Sequence, residues 1–252
     1  MTVQLEDRNQ PEAADRPRNH VSAQTLCLWI TPVSGLIFLV AFLLFPGFRP
    51  PMSPNMSAHQ VAAFYQDHTA SIRLSMIIFD MCGVMLVPFF MLIVVQMKRI
   101  SSPSQVFAYC YLSAVATGAT LFAIADLFWL MAAFRPDRSP DLVVLLNDMA
   151  WIVFTAPVGM LIAQNICLAL AIYLDAHPRP IFPRWVAHFN IVCAVAMAPA
   201  ACAAVFRSGP LAWNGFLSFW LKIGTFSLFV IVMFIVLRIA INRQALEESI
   251  AT

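Results

Sequence analysis

Charge is what this sequence has least of. Only 11% of its 252 residues are Asp, Glu, Lys or Arg, against about 25% in a typical water-soluble domain. Hydrophobic residues make up 61% of the chain, and its mean hydropathy is +0.79. A soluble core cannot hide that much apolar surface, so lipid must take the place of the missing polar coat. The net charge is only +2 and there is no long basic run, which argues against a nucleic-acid partner.

Other absences narrow the chemistry. The five histidines, His20, His59, His68, His177 and His188, are scattered along the chain. They offer neither the facing pair of a bis-histidine haem nor the clustered ligands of a metal centre. The six cysteines all fall in apolar stretches without a CxxC spacing and read as packing thiols. There is no Gly-Lys-Ser/Thr phosphate loop. Six spans match the count of an intramembrane serine protease. The nearest string to its Gly-x-Ser-Gly motif is Pro32-Val33-Ser34-Gly35 in the first span, and no histidine lies deep in a late one. No catalytic residue, metal or cofactor is expected, and an enzyme is the less favoured reading.

What is present is a series of long apolar runs. They predict an all-α, polytopic transmembrane helical bundle of six spans, at about 25–45, 72–97, 106–134, 150–174, 185–206 and 213–240. Each run can cross an apolar slab of about 30 Å at about 1.5 Å per residue. Lipid gives the backbone no hydrogen-bond partner, so such spans must be helices. Residues 1–24 read as a polar, disordered tail, residues 25–241 as the six-helix membrane domain and residues 242–252 as a second tail.

Positive charge orients the spans. The N-terminal tail, Lys98-Arg99, the loop up to Arg184 and the C-terminal segment hold nine of the fifteen Lys and Arg residues, and the opposite connections hold five. The richer set is expected to be cytoplasmic. That places both termini inside a plasma or inner cell membrane. In the first outer loop, Ser57 and Gln60 fit a capping box, with Val61, Phe64, Tyr65 and His68 on one face of a short amphipathic helix. Spans two and four share an order of residues: Asp80-Met81, Pro88, Met91-Leu92-Ile93, Gln96 in one, and Asp148-Met149, Pro157, Met160-Leu161-Ile162, Gln164 in the other. Duplication would place a site between the copies.

Ionisable groups inside spans are expensive and mark functional positions. Four stand out: Asp80, Asp126, Asp148 and Lys222. Counted from the cytoplasmic ends, Asp80 lies about 27 Å above Lys98, Asp126 about 31 Å above Gln105 and Lys222 about 24 Å from Arg238. All three fall in the outer third of the membrane, with Asp148 nearer the outer interface. Pairing of Lys222 with Asp80 or Asp126 would offset the burial of both. Trp129 and Trp151 each follow an aspartate by three residues and so share its helix face. Gln164, Asn165, His188 and Asn190 suggest a second polar layer. Ala194, Ala198 and Cys202, four apart, suggest that span five is central.

The leading reading is a small carrier, channel or ligand-binding protein with an outward-facing polar cluster. Its candidate ligand- or ion-binding residues are Asp80, Asp126, Asp148, Lys222, Trp129 and Trp151. The alternatives are an accessory or assembly subunit of a membrane complex and, more weakly, a membrane enzyme acting on a lipophilic substrate. The expected partners are the lipid bilayer, a small or lipophilic ligand, or another membrane protein.

Overall fold

The structure, a computed structural model, describes residues 17–100, 104–135 and 137–251. It is all-helical, with no strand among the described residues. Helix α1 covers Pro17–Leu44, α2 Ala58–Asp67, α3 Thr69–Gly83, α4 Val87–Met97, α5 Val106–Phe134, α6 Pro140–Thr155, α7 Gly159–Tyr173, α8 Arg184–Met197 and α9 Leu221–Ala251. Six helical stretches are long and apolar enough to cross a membrane: Val21–Leu44, Thr69–Met97, Val106–Phe134, Pro140–Tyr173, Arg184–Ala204 and Phe216–Ile250.

Few of these stretches are regular α-helix throughout. The second is α3 and α4 joined by a 3₁₀ turn at Val84–Leu86, with Pro88 at the start of α4. The fourth is α6 and α7, separated at Ala156-Pro157-Val158. The fifth continues α8 as a 3₁₀ segment over Ala198–Ala204, where Pro199 removes an N–H. The sixth begins as a π-helical turn at Phe216–Trp220 before α9. Proline removes a donor and clashes with the preceding turn, which accounts for the first three interruptions.

Helix α5 packs against α3, α4, α6 and α7, whereas α8 packs against α7 and α9. Span three, rather than span five, therefore has neighbours on most sides. Its small residues Ala114, Ala125, Ala132 and Ala133 are buried, while Ala198 in the fifth stretch is exposed. The difference arises because the 3₁₀ turn breaks the four-residue register on which a small-residue face depends.

The connection after α1 folds inward. Phe45, Phe48 and Met52 are buried. Gly47 permits this reversal, since a Cβ there would lie 2.8 Å from Phe45 Cζ. Helix α2 follows, with Ser57 and Gln60 forming a reciprocal capping box. It buries Val61, Ala62 and Tyr65 and exposes Gln60, Ala63, Gln66 and Asp67. At the same end, Arg73 donates to the Ala133 and Phe134 carbonyls at 2.8–3.0 Å, and Arg138 donates to the Met131 carbonyl at 3.1 Å. These cations satisfy the C-terminal carbonyls of α5 and complement its dipole. Arg138 is thus spent on a helix end and forms no ion pair with Asp137 or Asp141.

The opposite end is held by a polar network. Gln96 Nε2 donates to Gln24 Oε1 at 2.7 Å and to Gln244 Oε1 at 3.0 Å, and Arg99 bridges Gln96 Oε1 and Glu247. This network joins Gln24 of α1 and Gln244 of α9, and α1 begins at Pro17 and α9 runs to Ala251, overlapping the segments expected as tails. Residues 1–16 of the first tail lie outside the described residues.

The loop between α7 and α8 folds around Asp175. Its carboxylate accepts from the backbone N–H of Ile181 at 2.9 Å, from that of His177 at 3.1 Å, and lies 2.8 Å from His177 Nδ1. Arg243 of α9 donates to the Pro180 and Ile181 carbonyls at 2.8 and 3.1 Å. Burial pushes the Asp175 carboxyl up, but the Ile181 and His177 N–H groups and the His177 ring outweigh it and hold the group below its ordinary value. A depressed carboxyl pKa stabilises the fold above the unfolded value of about 3.9, and that contribution is lost as pH falls through the folded value. Detergent-solubilised protein should therefore keep one melting temperature from pH 7 to 5 and lose part of it below about pH 4. Asp175→Asn should lower the neutral-pH value by the equivalent of about 1.5–3 kcal/mol and flatten this acid limb. An Asp175→Asn melting profile that overlays the wild type would exclude this role.

Candidate functional site

The side chains singled out in the sequence do not form one cluster. Four of them, Asp126, Trp129, Trp151 and Lys222, are buried; Asp80 and Asp148 are half-buried. Asp126 is 1% exposed, and neither of its oxygens has a hydrogen-bond partner. Asp80 on α3 is within electrostatic reach of it. Asp148 lies apart, beside Asn147 and under the influence of Arg207. Tyr65 of α2 donates to Asn147 Oδ1 at 3.1 Å. Burial, with the Asp148 charge nearby, holds the Tyr65 phenol well above its ordinary value, so it remains a donor. Arg207 itself donates to the Pro54 carbonyl at 3.2 Å.

Lys222 is bound to backbone. The helical donor to the Phe154 carbonyl would be Val158 N–H, but next to Pro157 it turns to the Ala156 carbonyl at 2.8 Å, so the Phe154 carbonyl loses it. Lys222 Nζ replaces it, lying 2.5 Å from Phe154 O and 3.4 Å from Thr155 O. The same ammonium sits 4.4 Å from the centroid of the Phe154 ring. The cation thus caps the C-terminus of α6, where carbonyls and dipole both favour positive charge. Among the described residues it has no ion pair with Asp80, Asp126 or any other carboxylate. The π-helical turn at Phe216–Trp220 immediately precedes Lys222; such turns often occur at functional positions.

Aromatic rings fill the space between these groups. Phe122, Asp126 and Trp129 are four and three residues apart and share a face of α5. Phe154 packs on both flanking rings, at 6.1 and 5.3 Å between centroids. Trp129 and Trp151 meet edge to face at 5.4 Å and 88°. Phe48 enters from the loop after α1 and contacts Trp129, Trp151 and Phe154 at 5.5–5.7 Å. The indole N–H groups of Trp129 and Trp151 and the Thr155 hydroxyl are buried without partners. Aromatic rings thus flank Asp126 along α5 and adjoin Lys222 through Phe154, with three unused donors among them.

Phe48, Phe122, Phe154 and Thr155 had not been singled out. Phe154 continues the three-residue spacing of Asp148 and Trp151, and Phe122 lies one turn before Asp126, so both were legible by periodicity. Phe48 had only a weak signal, an aromatic between Pro46-Gly47 and Pro50-Pro51. Of the residues expected to form a second polar layer, Gln164, Asn165 and Asn190 are buried. Asn165 and Asn190 donate to carbonyls one turn back, Leu161 and Val186, at 2.7 Å. His188 is exposed, with Nδ1 3.1 Å from the Arg184 carbonyl, and does not join that layer.

The six apolar stretches define the chain as a multi-pass membrane protein. Comparison with protein-family models, curated proteins and solved structures finds no match.

The aromatic shell depends on Phe48. Phe48→Ala should lower stability by about 3–5 kcal/mol, the range for a fully buried phenylalanine. It should also shift tryptophan emission to longer wavelength as water reaches Trp129 and Trp151. Unchanged melting and emission would show that Phe48 does not seal the centre.

Proposed function

We propose that this protein is a small carrier of the cell membrane, with both termini cytoplasmic, and that its site is the closed centre around Asp126 and Lys222. The observation that carries this reading is the state of those two groups. Both are buried in membrane spans, neither is paired with an opposite charge, and Asp126 has no hydrogen-bond partner. An ionisable group inside a span is costly at any depth short of the interface, and a packed hydrophobic pair would serve stability better. A chain that retains both groups is explained by a task for them, and the absence of a partner by a ligand or proton that comes and goes.

The interrupted helices support the same reading. Carrier sites are often built where discontinuous helices expose backbone groups to the ligand. Here the break between α6 and α7 leaves the Phe154 and Thr155 carbonyls to Lys222 rather than to the helix, and the break between α3 and α4 occurs at the corresponding proline, Pro88. The six stretches form a helical bundle in this reading. The inward-folded loop and the amphipathic α2 cover its outer end in this reading, and Asp80 and Asp148 are half-buried. Nine positive charges against five support the orientation. A purely structural clasp, as in an accessory subunit, predicts a centre that never meets water.

Accessibility separates the two. A Thr155→Cys variant, with the six native cysteines replaced by alanine or serine, is reconstituted in liposomes and treated with a membrane-impermeant maleimide. A carrier exposes the position to each face in turn, so reagent inside or outside should label it. Labelling from one face alone, or from neither, overturns the carrier reading.

A further inference from the structure

The chemistry of the closed centre selects a class of ligand. Asp126 presents two oxygens that accept from nothing. The rings of Phe122 and Trp129 flank it by one turn on either side, and Phe154 packs across both. Aromatic faces carry negative potential and attract cations. One cation already uses this shell: Lys222, 4.4 Å from the Phe154 centroid, with carbonyls rather than a carboxylate as its acceptors. An anion entering here would meet Asp126. A neutral apolar ligand would leave that carboxylate unanswered. A hard divalent ion wants six or more oxygen ligands, and no group of three or more His, Cys, Asp or Glu side chains suited to a metal occurs among the described residues. One buried carboxylate within an aromatic wall suits a cation that is itself largely apolar.

We infer that the ligand is a lipophilic organic monocation, an amine or quaternary ammonium, held by Asp126 against Phe122, Trp129 and Phe154, and that Lys222 competes with it for the same shell. The inference rests on the reading that the centre opens to ligand. Two positive charges sharing one set of rings repel each other, so the bound cation and the Lys222 ammonium oppose each other directly. Removing the lysine charge should tighten binding, whereas a lysine serving the fold alone would only lose stability when replaced.

The full-length protein in detergent tests this by titrating tryptophan emission, with Trp129 in the wall as reporter. The probe is tetraphenylphosphonium; tetraphenylborate, of the same size and opposite charge, is the control. Wild type should bind the cation saturably and the anion at least tenfold more weakly. Asp126→Asn should weaken cation binding at least tenfold and Asp126→Glu should largely restore it, each checked for an intact melting transition. Lys222→Met should tighten it at least threefold. Equal response to cation and anion, or undiminished binding in Asp126→Asn, overturns the ligand class; weaker binding in Lys222→Met overturns the competition. If Thr155→Cys is labelled from both faces while tetraphenylphosphonium fails to bind, the carrier reading stands and only the cation class falls. Cation binding without such labelling sinks the carrier and leaves a binding protein.

Discussion

Lipid cannot repair a broken helix. Wherever the backbone hydrogen-bond ladder fails inside an apolar slab, the protein must supply the missing partner itself. Pro157 creates that need in the fourth stretch, and the ammonium of Lys222 meets it at the Phe154 and Thr155 carbonyls. The arrangement of the centre follows from this bond. It fixes the start of α9 against the end of α6 and sets a positive charge on the Phe154 ring. It also takes the lysine away from the carboxylates, which leaves Asp126 alone. The helix ends near Arg73 and Arg138 follow the same rule, with cations on the last carbonyls of α5.

Aromatic packing settles the rest of the interior. Rings from α5, α6 and the loop after α1 converge where a polar cluster would otherwise lie open. Phe48 is the residue that joins them, because a loop bounded by Pro46-Gly47 and Pro50-Pro51 can turn a side chain inward without carrying a helix with it. Edge-to-face pairs of this kind contribute about 0.5–1.5 kcal/mol each beyond the area they bury. Their combined effect is to seal Asp126 from both lipid and water, while Asp80 and Asp148 remain half-buried toward the α2 end.

The spans were legible because hydropathy and length alone decide whether a segment belongs in lipid, and the six observed stretches overlap the six expected runs. The shared face of Asp126 and Trp129 was legible because helical spacing is geometry. The partner of Lys222 was not. Sequence reasoning looks for a carboxylate to answer an ammonium, yet a proline break creates carbonyl acceptors that no side-chain inventory contains. Arg138 belongs to the same case: Asp137 and Asp141 are its neighbours in sequence, but a helix-end carbonyl takes its donor. Phe48 escaped because inward folding of a loop is a tertiary event. The interruptions at Pro88, Pro157 and Pro199 were foreseeable as kinks, but the π-turn before Lys222 follows no proline and left no mark in the composition.

The break at Pro157 also divides the fourth stretch into halves that answer to different neighbours. Helix α6 packs on α2 and α5, whereas α7 packs on α5 and α8. With the ladder interrupted, no continuous set of backbone hydrogen bonds forces the two halves to move together, and the principal polar link across the centre is the single ammonium on the α6 end. In the proposed competition, the side chain that would give up the Phe154 ring is the one that also holds the α6 carbonyls. An alanine-and-leucine helix through the same position would be more stable and would have nothing to release.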